Sequence, residues 1–393
     1  MRTADQLDVL VVGGGPAGAA TALALARLDP ALARRTLVID AAVFPRDKTC
    51  AGGLIPQTLD LLRALDVDLS VPVARVDQAH VEAGRETIRI DSPGCCWVIR
   101  RREFDAMLLD AARARGVAVR EGVKVQGIER DGAGFRVQTN EGELRARAIV
   151  GADGSGSLVR RSLVDTEHPG WVARAVMCDL PTADGAIPTR YEFDFRPVFE
   201  GLKGYAWAFP CWIGGRAHWN VGVYSIDRRG EGGRIDRLLR ERTGPDSAVP
   251  VRRHAHPIRL YDPARPIAAP GVLLAGDAAG VDPLLGEGIS YALEYGGLAA
   301  YELVEGFRRA DLRFGGYPRR VRRSALGSKL RRLGLGARLF YGPRPRFWFG
   351  VAQASRRAQR IGMNWYNGVG YHGGAGALAK LARHGASNTD VRP

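Results

Sequence analysis

The sequence contains little lysine and no segment typical of secreted or membrane-spanning proteins. Only five of its 57 basic residues are lysines, so arginine carries nearly all of the positive charge. No run approaches the roughly 18 uninterrupted apolar residues of a spanning helix, and no signal-like segment precedes the strand-like run that begins at Leu7. We therefore expect a cytoplasmic globular protein, and 393 residues with 46% hydrophobic content suffice for two or three domains.

Cysteine and histidine are too few, and too widely spaced, to suggest a disulfide framework or a metal site. The five cysteines form neither a C-x-x-C pair nor an even framework, which favours reduced thiols. His254 and His256 alternate onto one face of a predicted strand, but no cysteine or carboxylate joins them at ligand spacing. We expect no metal, and we expect both histidines at the surface.

The net charge of +15 is concentrated in the last quarter of the chain. Residues 301–393 contain 19 basic and 4 acidic residues, so the first 300 residues carry no net charge. Exposed arginines attract anionic lipid head groups or nucleic acid, but basic helices are also often only solvated. We expect no nucleic-acid partner. Peripheral contact with the inner face of a membrane and a plain solvated surface both stay open.

The N-terminal segment has the pattern of a βαβ unit. Residues 8–12 are an apolar run of β-branched character, and residues 36–40 form a second one. Between them, GGGPAG precedes AATALALARL, whose apolar residues follow helical spacing. This order predicts two parallel strands joined by a helix.

The turn between the first strand and the helix predicts a dinucleotide site. Gly13, Gly15 and Gly18 fit G-x-G-x-x-G in the required strand-to-helix context. Glycines let the backbone approach a pyrophosphate, whose charge is held by free amides at the helix N-terminus. Asp40 ends the second strand and is placed to accept a hydrogen bond from a ribose hydroxyl.

Downstream segments alternate between helical and strand-like patterns. Residues 98–116 have apolar side chains at helical spacing and end in glycine, which predicts an amphipathic helix. Residues 117–154 show period-two alternation broken by D-G and E-G turns, which predicts a β-meander that returns to the first sheet. Residues 171–266 are strand-like and aromatic, and residues 271–280 repeat an apolar strand that ends in Gly-Asp before a helix.

These patterns predict a discontinuous nucleotide-binding domain interrupted by a β-rich one. The nucleotide-binding domain comprises residues 1–75, 98–165 and 267–310, the β-rich substrate domain residues 76–97 and 166–266, and a basic helical region residues 311–393. In that last region, spacings of four and three predict one apolar helix face, formed by Leu326, Leu330, Leu333, Ala337 and Phe340. Aromatic clusters follow at 347–349 and 365–366.

Three separated motifs resemble the flavin-binding fold of the aromatic hydroxylase type, a group that includes geranylgeranyl reductases, flavin halogenases and single-component monooxygenases. They are the glycine turn with Asp40, the D-G segment at Asp153 and Gly154, and the G-D segment at Gly276 and Asp277. The resemblance implies an α/β, Rossmann-like fold of the GR2 type with an inserted β-rich domain and a C-terminal helical region. It implies FAD, because an apolar strand that ends in G-D late in the chain argues against NAD.

The resemblance also implies which residues contact the cofactor. In this group the D-G segment approaches the pyrophosphate, the G-D carboxylate binds ribityl or ribose hydroxyls, and the following loop faces the isoalloxazine ring. An arginine that commonly reaches the cofactor is matched by Arg101. Carried over, the cofactor-binding residues are Gly13, Gly15, Pro16, Ala17, Gly18, Asp40, Lys48, Cys50, Ala51, Gly52, Arg101, Asp153, Gly154, Gly276, Asp277, Pro283, Gly286, Gly288 and Ile289.

Within this group, the segment GYAWAFP at 204–210 is similar to the Y-x-W-x-F-P signature of geranylgeranyl reductases, and N-V-G-V follows at 220–223. If residues 204–210 form a strand, Tyr205, Trp207 and Phe209 point to one face. That face is either an aromatic wall for an isoprenoid chain or ordinary sheet packing.

A second feature shared with these reductases is K-x-C followed by glycines, here Lys48, Cys50, Gly52 and Gly53, although Ala51 stands where a glycine is usual. In the family this cysteine lies near the flavin and the substrate double bond. The basic neighbour and the glycines also favour Cys50 as a functional thiol from the residues alone. The adjacent pair at 95 and 96 is expected to be buried packing, because vicinal cysteines seldom close a relaxed disulfide.

The resemblance implies an FAD-dependent enzyme that reduces carbon–carbon double bonds of a hydrophobic, geranylgeranyl-type isoprenoid by hydride transfer from reduced flavin. Its candidate catalytic residues are Tyr205 and Trp207, which offer π-density to the reacting carbon, and Cys50, which with a nearby water is a proton route. No second G-x-G-x-x-G lies in a βαβ context, so NAD(P)H that docks transiently or a reduced protein such as ferredoxin supplies the electrons.

Two other functions stay open. An oxygen-using monooxygenase shares the whole FAD scaffold and consumes NAD(P)H, although halogenation is disfavoured because Tyr205 and Phe209 replace the W-x-W-x-I-P pattern of halogenases. A membrane-surface protein with structural FAD is supported only by the basic C-terminal region.

Overall fold

The computed structural model describes residues 7–84, 87–165, 170–227, 232–243 and 252–354, together with residues 356, 357, 359, 362 and 364. The strands within these residues are β1 (Leu7–Val12), β2 (Thr36–Asp40), β3 (Gly53–Leu54), β4 (Ala74–Glu82), β5 (Thr87–Val98), β6 (Ala118–Glu121), β7 (Val125–Asp131), β8 (Gly134–Thr139), β9 (Gly142–Gly151), β10 (Val172–Pro181), β11 (Arg190–Asp194), β12 (Gly204–Ile213), β13 (Arg216–Ser225), β14 (His254–Arg259), β15 (Ala268–Ala269) and β16 (Val272–Leu274).

The α-helices within the same residues are α1 (Pro16–Leu28), α2 (Pro30–Ala33), α3 (Pro56–Ala64), α4 (Arg101–Ala114), α5 (Leu158–Leu163), α6 (Gly232–Thr243), α7 (Ile289–Arg308), α8 (Tyr317–Arg323), α9 (Ala325–Phe340) and α10 (Pro345–Gln353). Short 3-10 turns occur at Arg196–Glu200 and Gly276–Ala278.

The first sheet is built around β1, whose sequence LDVLVV is buried along nearly its whole length. Apolar, β-branched residues without polar alternation are typical of a parallel strand covered on both faces. β1 pairs in parallel with β2 and β9, and the strand order is β15-β16-β9-β1-β2-β6, with β7 and β8 attached at β9. The structure confirms the predicted βαβ unit and the mixed α/β, Rossmann-like fold. Ligands in such sheets bind outside the carboxyl ends of the strands.

The second sheet has the order β14-β10-β13-β12-β11-β4-β5-β3. In β12, Tyr205, Trp207 and Phe209 pack into one core cluster, while the intervening Ala206 and Ala208 pack into another on the opposite face. This alternation confirms the predicted strand and its aromatic face. Helix α6 covers the alanine face, so the aromatic face is the one turned toward the first sheet's strand ends.

The boundary between the two sheets lies in places that sequence patterns do not reveal. Gly53–Leu54 pairs with β5 of the second sheet, although it falls in a stretch assigned to the nucleotide-binding domain. A two-residue strand is too short to show alternation, and it forms because Gly52, at φ +79, turns the chain against Ile99. The division into domains stays a prediction.

The basic C-terminal region packs onto the rest of the chain through α9. Leu326, Leu330, Leu333 and Ala337 are buried, which confirms the predicted apolar face, while Phe340 is only partly buried. The aromatic pair at 365–366 lies outside the described residues. Within the described part of the chain, no helix combines the length and the apolarity needed to cross a bilayer.

Helices α1 and α7 cross in close contact at Gly296. A Cβ placed there would lie 2.6 Å from the Ala20 Cβ and 2.7 Å from the Ala17 carbonyl oxygen. The two helices can approach this closely only because α7 has no side chain at the crossing. The crossing sets the position of the N-terminal turn of α1, which borders the glycine-rich turn.

We predict that Gly296→Ala destabilises the protein, because overpacking costs about 1–3 kcal/mol and outweighs the roughly 1 kcal/mol that alanine gains in a helix. Gly350 in α10 is the matched control, since a Cβ there meets no atom within 4 Å. Gly350→Ala is therefore expected to keep or raise stability. Chemical unfolding of both variants measures the difference, and equal stability of the two would contradict the described crossing.

Candidate active site

A single cavity of about 640 Å³ lies where the carboxyl ends of the first sheet face the aromatic side of the second. It brings together residues from distant parts of the sequence. The sequence-predicted residues on its wall are Gly13, Gly15, Pro16, Ala17, Asp40, Lys48, Cys50, Ala51, Gly52, Arg101, Asp153, Gly154, Tyr205, Trp207, Gly276, Asp277, Gly286, Gly288 and Ile289.

Two sequence-predicted residues, Gly18 and Pro283, do not line this cavity. Gly18 allows α1 to pack on the glycine turn, because a Cβ there would lie 1.9 Å from the Gly13 carbonyl oxygen. Pro283 faces α9, where its Cγ would lie 3.7 Å from a Cβ at Gly334. Both support the cavity from behind.

The amino end of α1 opens into the cavity between two guanidinium groups. Gly15 is the N-cap and has no side chain to satisfy the free amides of the first turn. A Cβ at Gly15 would lie 3.7 Å from Nη2 of Arg46 and 4.0 Å from Nη2 of Arg101. Free amides, the helix dipole and two cations together make an anion site suited to a pyrophosphate.

These guanidinium groups are held by the fully buried carboxylate of Asp105. Arg101 donates two hydrogen bonds to Asp105, at 2.6 and 2.7 Å, and Arg46 Nη2 lies 2.8 Å from the same carboxylate. Burial alone would lower the pKa of Arg101, but the ion pair with Asp105 has the larger effect and raises this pKa. Nη1 of Arg46 is a buried donor with no partner among the described residues. The site therefore has a fixed donor left for an anionic ligand.

The acceptors of the site are equally well positioned. Asp40 accepts hydrogen bonds from the amides of Gly14 at 2.7 Å and Ala42 at 2.8 Å, which fix its carboxylate at the end of β2. Asp153 accepts from the amides of Leu158 and Val159, while its Oδ1 is buried without a partner in the described part of the chain. Burial raises the pKa of Asp153. These acceptors suit hydroxyl groups, so the donors and acceptors together fit the pyrophosphate and sugar hydroxyls of FAD.

Lys48 and His256 form a close pair on the cavity wall. Lys48 Nζ lies 2.7 Å from His256 Nε2, although Lys48 is on the loop between β2 and β3 and His256 is on β14 of the second sheet. Burial, followed by the charge of Lys48, lowers the pKa of His256 to about 4, so His256 is neutral and accepts the hydrogen bond. Burial lowers the pKa of Lys48 to about 8 even though Asp277 favours its charge.

The placement of His256 corrects the sequence-based expectation that both strand histidines lie at the surface. Alternation along β14 identified the shared face correctly, but His256 lines the cavity. No pattern in the sequence shows that the loop around Lys48 covers that face. Asp277 lies on the same wall, with Oδ2 accepting a hydrogen bond from Ser155 at 3.0 Å.

Cys50 is the partly accessible thiol among the five cysteines, and it lines the cavity. Its Sγ accepts a hydrogen bond from the amide of Gly52 at 3.3 Å, and Arg101 also contacts it. The adjacent pair Cys95 and Cys96 is buried, as expected, and burial raises the pKa of both thiols. Geometry thus supports Cys50 as the thiol available for chemistry.

The aromatic wall is oriented by polar groups behind it. The Trp207 ring lies flat across Gly222, where a Cβ would come within 2.2 Å of it. Trp207 Nε1 donates to Asn220 Oδ1 at 2.9 Å, and Asn220 Nδ2 donates to Asp179 at 2.7 Å. Arg100 holds Asp179 through two hydrogen bonds of 2.9 Å. The N-V-G-V segment therefore supplies both the space and the anchor for Trp207.

Tyrosine hydroxyl groups hold the loop Asp282–Gly288, which borders the cavity. Tyr205 donates to the Leu285 carbonyl at 2.6 Å, Tyr341 to the Leu284 carbonyl at 2.7 Å, and Tyr224 to the Pro283 carbonyl at 3.4 Å. The Asp282 carboxylate accepts from the amides of Leu284 and Leu285. Tyr205 thus presents only its ring to the cavity, because its hydroxyl is occupied.

Several of these residues were not predicted from the sequence. Arg46 and Asp105 lie near Lys48 and Arg101, yet nothing in their local pattern distinguishes them from surface ion pairs. Tyr341 lies far from every motif, and Tyr224 directly follows the N-V-G-V segment without being part of it. Glu287 also lines the cavity, and no role for its carboxyl group was predicted.

Comparison with known proteins places this site in context. Residues 6–183 match the FAD binding domain family. The chain is 30% identical to a menaquinone reductase of Mycolicibacterium smegmatis over 76% of each chain, and 30% identical to a geranylgeranyl diphosphate reductase of Rhodobacter capsulatus over 78% of each chain. Its fold is similar to that of a geranylgeranyl bacteriochlorophyll reductase-like protein from Thermoplasma acidophilum, with a TM-score of 0.71 and 22% identity over 96% of this chain and 99% of that one.

We predict that Arg46→Gln weakens FAD binding by roughly 10- to 100-fold, because a charge-assisted hydrogen bond contributes about 1.5–3 kcal/mol. Arg102→Gln is the matched control, since it removes the same charge from an exposed side chain whose nearest carboxylate, on Asp47, is 3.8 Å away. Titration of the apoprotein with FAD, followed by flavin fluorescence, measures both affinities. Equal affinities for the two variants would remove Arg46 from the cofactor site.

Proposed function

The chain belongs to the geranylgeranyl reductase family of FAD-dependent oxidoreductases, and from this premise we propose that it reduces carbon–carbon double bonds of a hydrophobic isoprenoid compound. Two relatives are named for reactions on geranylgeranyl diphosphate and menaquinone. Both compounds carry polyprenyl chains, so the shared chemistry suggests a prenyl substrate.

The observation that carries this proposal is the continuity of the cavity. One space runs from the anion site at the glycine turn to the wall formed by Tyr205, Trp207 and Phe209. The first end fits a charged dinucleotide, and the second end presents apolar rings. A hydrophobic substrate on that wall lies in the same space as the cofactor.

Bound FAD, once reduced, supplies the hydride. The chain's residues hold the alkene and exclude water, because the wall at Trp207 offers aromatic faces and no free polar group. The ring faces of Tyr205 and Trp207 also stabilise positive character on a carbon that is gaining a proton. Cys50 lines the cavity and is our sequence-based proton route, directly or through a water.

The source of the electrons is a separate part of the proposal. The chain has a single glycine motif in a βαβ context, and we assign that motif to FAD. NAD(P)H that docks transiently and a reduced protein donor are therefore both consistent with the sequence. Stopped-flow mixing with NADPH distinguishes them, because a protein-dependent enzyme is not reduced by the nicotinamide at a useful rate.

We expect anaerobic, chemically reduced holoenzyme to be reoxidised by a geranylgeranyl compound, with a mass gain of two hydrogens for each reduced bond. Air is not required for a reductase, whereas a monooxygenase forms product only with oxygen and NAD(P)H. Flavin absorbance and product mass measure both outcomes. Oxygen-dependent product, with no anaerobic reoxidation by any prenyl compound, would establish the monooxygenase instead.

Trp207→Leu tests the wall within the same assay. We expect it to slow reoxidation by the prenyl compound by at least tenfold while FAD stays bound, because the variant loses the aromatic face but keeps the glycine turn. Trp219→Leu is the control, since Trp219 lies outside the cavity and packs on the alanine side of β12. Equal rates for the two variants would contradict a substrate on this wall.

We further propose that the protein binds an anionic membrane surface through α9 and α10, where hydrophobic substrates reside. Leu335, Phe347 and Val351 are exposed at 58%, 59% and 49%, which is unusual for large apolar side chains. Arginines flank them on both helices, for example Arg338 and Arg346. Exposed apolar groups among cations suit the boundary between lipid head groups and acyl chains.

The double substitution Phe347→Ser with Val351→Ser is expected to weaken binding to vesicles that contain anionic lipid by at least tenfold, because two apolar side chains no longer leave water. Val43→Ser is the control, since Val43 is 67% exposed but lies before β3, outside the basic region. Vesicle flotation at low and high salt measures binding. A double variant that floats like the wild type would remove this surface from the proposal.

A further inference from the structure

A group of buried ionisable side chains lies on the loop Asp282–Gly288 and on the helices packed behind it, and none of them has a part in the reaction so far. Asp282, Glu287 and Glu294 interact electrostatically with the ammonium group of Lys329, which α9 brings from the basic end of the chain. Asp282, Glu294 and Lys329 are 2%, 4% and 4% exposed. We call these four residues the buried cluster.

Hydrogen bonds fix the members of the buried cluster relative to one another. Lys329 Nζ donates to Gln57 Oε1 at 2.9 Å, and Gln57 Nε2 donates to Glu294 Oε2 at 3.1 Å. The Glu287 carboxylate accepts from the amide of Ser290 at 2.8 Å and from its hydroxyl at 2.5 Å. Helices α3, α7 and α9 therefore meet at this one group of charges.

Glu287 connects the buried cluster to the active cavity. Glu287 lines that cavity, and it also lines a second cavity of about 120 Å³ whose wall includes Asp282 and Lys329. A proton held in the buried cluster is thus one side chain away from the space that holds the substrate. The same cavity also contains the Cys50 thiol and the Lys48–His256 pair, which carry exchangeable protons at its wall.

The charges of the buried cluster do not balance when every member is ionised. Three carboxylates face one ammonium, and like charges in a medium of low dielectric cannot all be ionised. Burial raises the pKa of Asp282 and of Glu294 to about 7 and also raises the pKa of Glu287, while burial lowers the pKa of Lys329. The buried cluster therefore retains at least one proton near neutral pH.

Few other groups around the buried cluster exchange protons in this range. Burial raises the pKa of each of four neighbouring groups well above its ordinary value, so these groups stay neutral. They are Cys96, Tyr205, Tyr224 and Tyr341. The neighbours that face the cluster are Cys96 from β5, Tyr205 from β12, Tyr224 from β13, Tyr291 from α7, Arg332 from α9, and Tyr341 directly after α9. The carboxylates and Lys329 are thus the groups that exchange protons near neutrality.

We propose that the buried cluster is the proton store of the active site and that Glu287 is its outlet. The inference rests on the proposed alkene reduction. As the π bond breaks, one carbon takes the hydride that reduced FAD supplies, and the other takes the proton of the Glu287 carboxyl group as its O–H bond breaks. The Glu287 carboxylate regains a proton from Asp282 or Glu294, and water finally refills the store.

Single-turnover experiments test the outlet. With anaerobic, chemically reduced enzyme and a geranylgeranyl compound, the wild-type rate is expected to fall above about pH 7 as the store loses its proton. Glu287→Gln is expected to be about 100-fold slower, within the range of general acid catalysis, and to lose this decrease. Cys50→Ala separates the two candidate proton routes, because it is expected to keep the decrease if Glu287 is the donor, whereas loss of the decrease in Cys50→Ala would assign the proton to Cys50. Wild-type rate and pH dependence in Glu287→Gln would overturn the outlet.

Lys329 and Glu302 provide the matched comparisons. Lys329→Met removes the cation that favours ionised carboxylates, so the decrease in rate moves to higher pH, and Lys329→Arg restores its position. Glu302 is another buried carboxylate of α7, but Arg320 pairs with it at 2.8 Å and it does not line the cavity. Glu302→Gln is expected to leave the profile unchanged. A Lys329→Met profile identical to that of the wild type would overturn the store.

The pH dependence of unfolding tests the store without any reaction. The folded-state pKa of Asp282 and Glu294, about 7, exceeds the unfolded value of about 4, so the folded state binds more protons between these limits. Their contribution to stability is present below about pH 4 and is lost as the pH rises through about 7. Glu294→Gln is expected to make the decrease in unfolding free energy with rising pH less steep. Glu302→Gln is expected to leave that decrease unchanged. Equal slopes in these two variants would overturn the store.

Failure of the store and failure of the proposed function give different results. A wild-type enzyme that reduces no prenyl compound removes the function and, with it, the role of Glu287 as outlet. The unfolding experiment contains no substrate, so it decides the store in either case.

Discussion

The site depends on one constraint: the backbone of the loop Asp282–Gly288 must lie in a fixed position beside the cavity. A loop buried between two sheets cannot leave its carbonyl groups unpaired without a large cost. Here the hydroxyls of Tyr205, Tyr224 and Tyr341 satisfy successive carbonyls, and the Asp282 carboxylate satisfies two amides. These tyrosines come from two strands of the second sheet and from the end of α9, so both the second sheet and the C-terminal region contribute bonds to this one loop. The glycine turn and the aromatic wall then share a cavity because this loop closes the space between them.

The sequence predicted the parts of the site whose function depends on the conformation of a short stretch of backbone. Gly13, Gly15 and Asp40 are recognisable because a phosphate-binding turn needs glycine at defined spacing after a strand. Residues whose role arises from tertiary contacts could not be found in this way. Arg46 matters because it pairs with the buried Asp105 beside Gly15, and nothing in its neighbours along the chain indicates that pair. Alternation identifies the face of a strand, but it does not reveal what covers that face, which is why His256 was expected at the surface.

The basic C-terminal region shows a second limit of reading charge from composition. Most of its excess positive charge is carried by side chains that can contact an anionic surface or water, such as the arginines of α9 and α10. Lys329 is different, because it points inward and is 4% exposed. Counting it with the solvated arginines conceals that α9 packs behind the loop that borders the site. The same helix leads to Tyr341 and its hydrogen bond to the loop, so this region is part of the catalytic domain's structure and not only an attachment to it.

The two ends of the cavity impose opposite electrostatic demands, and the buried cluster reconciles them. The end with Arg46 and Arg101 needs fixed cations to hold a pyrophosphate. In the proposed reduction the end with Trp207 must stay dry, because water beside a reduced flavin and an electron-poor carbon favours side reactions. A dry wall cannot take a proton from solvent at the moment of reaction, so the proton has to be in the protein beforehand. Excess carboxylates around one lysine achieve this, since their mutual repulsion holds a proton at a pH where an isolated carboxylate would have lost it. The imbalance of charge behind the loop therefore follows from the need for an apolar wall in front of it.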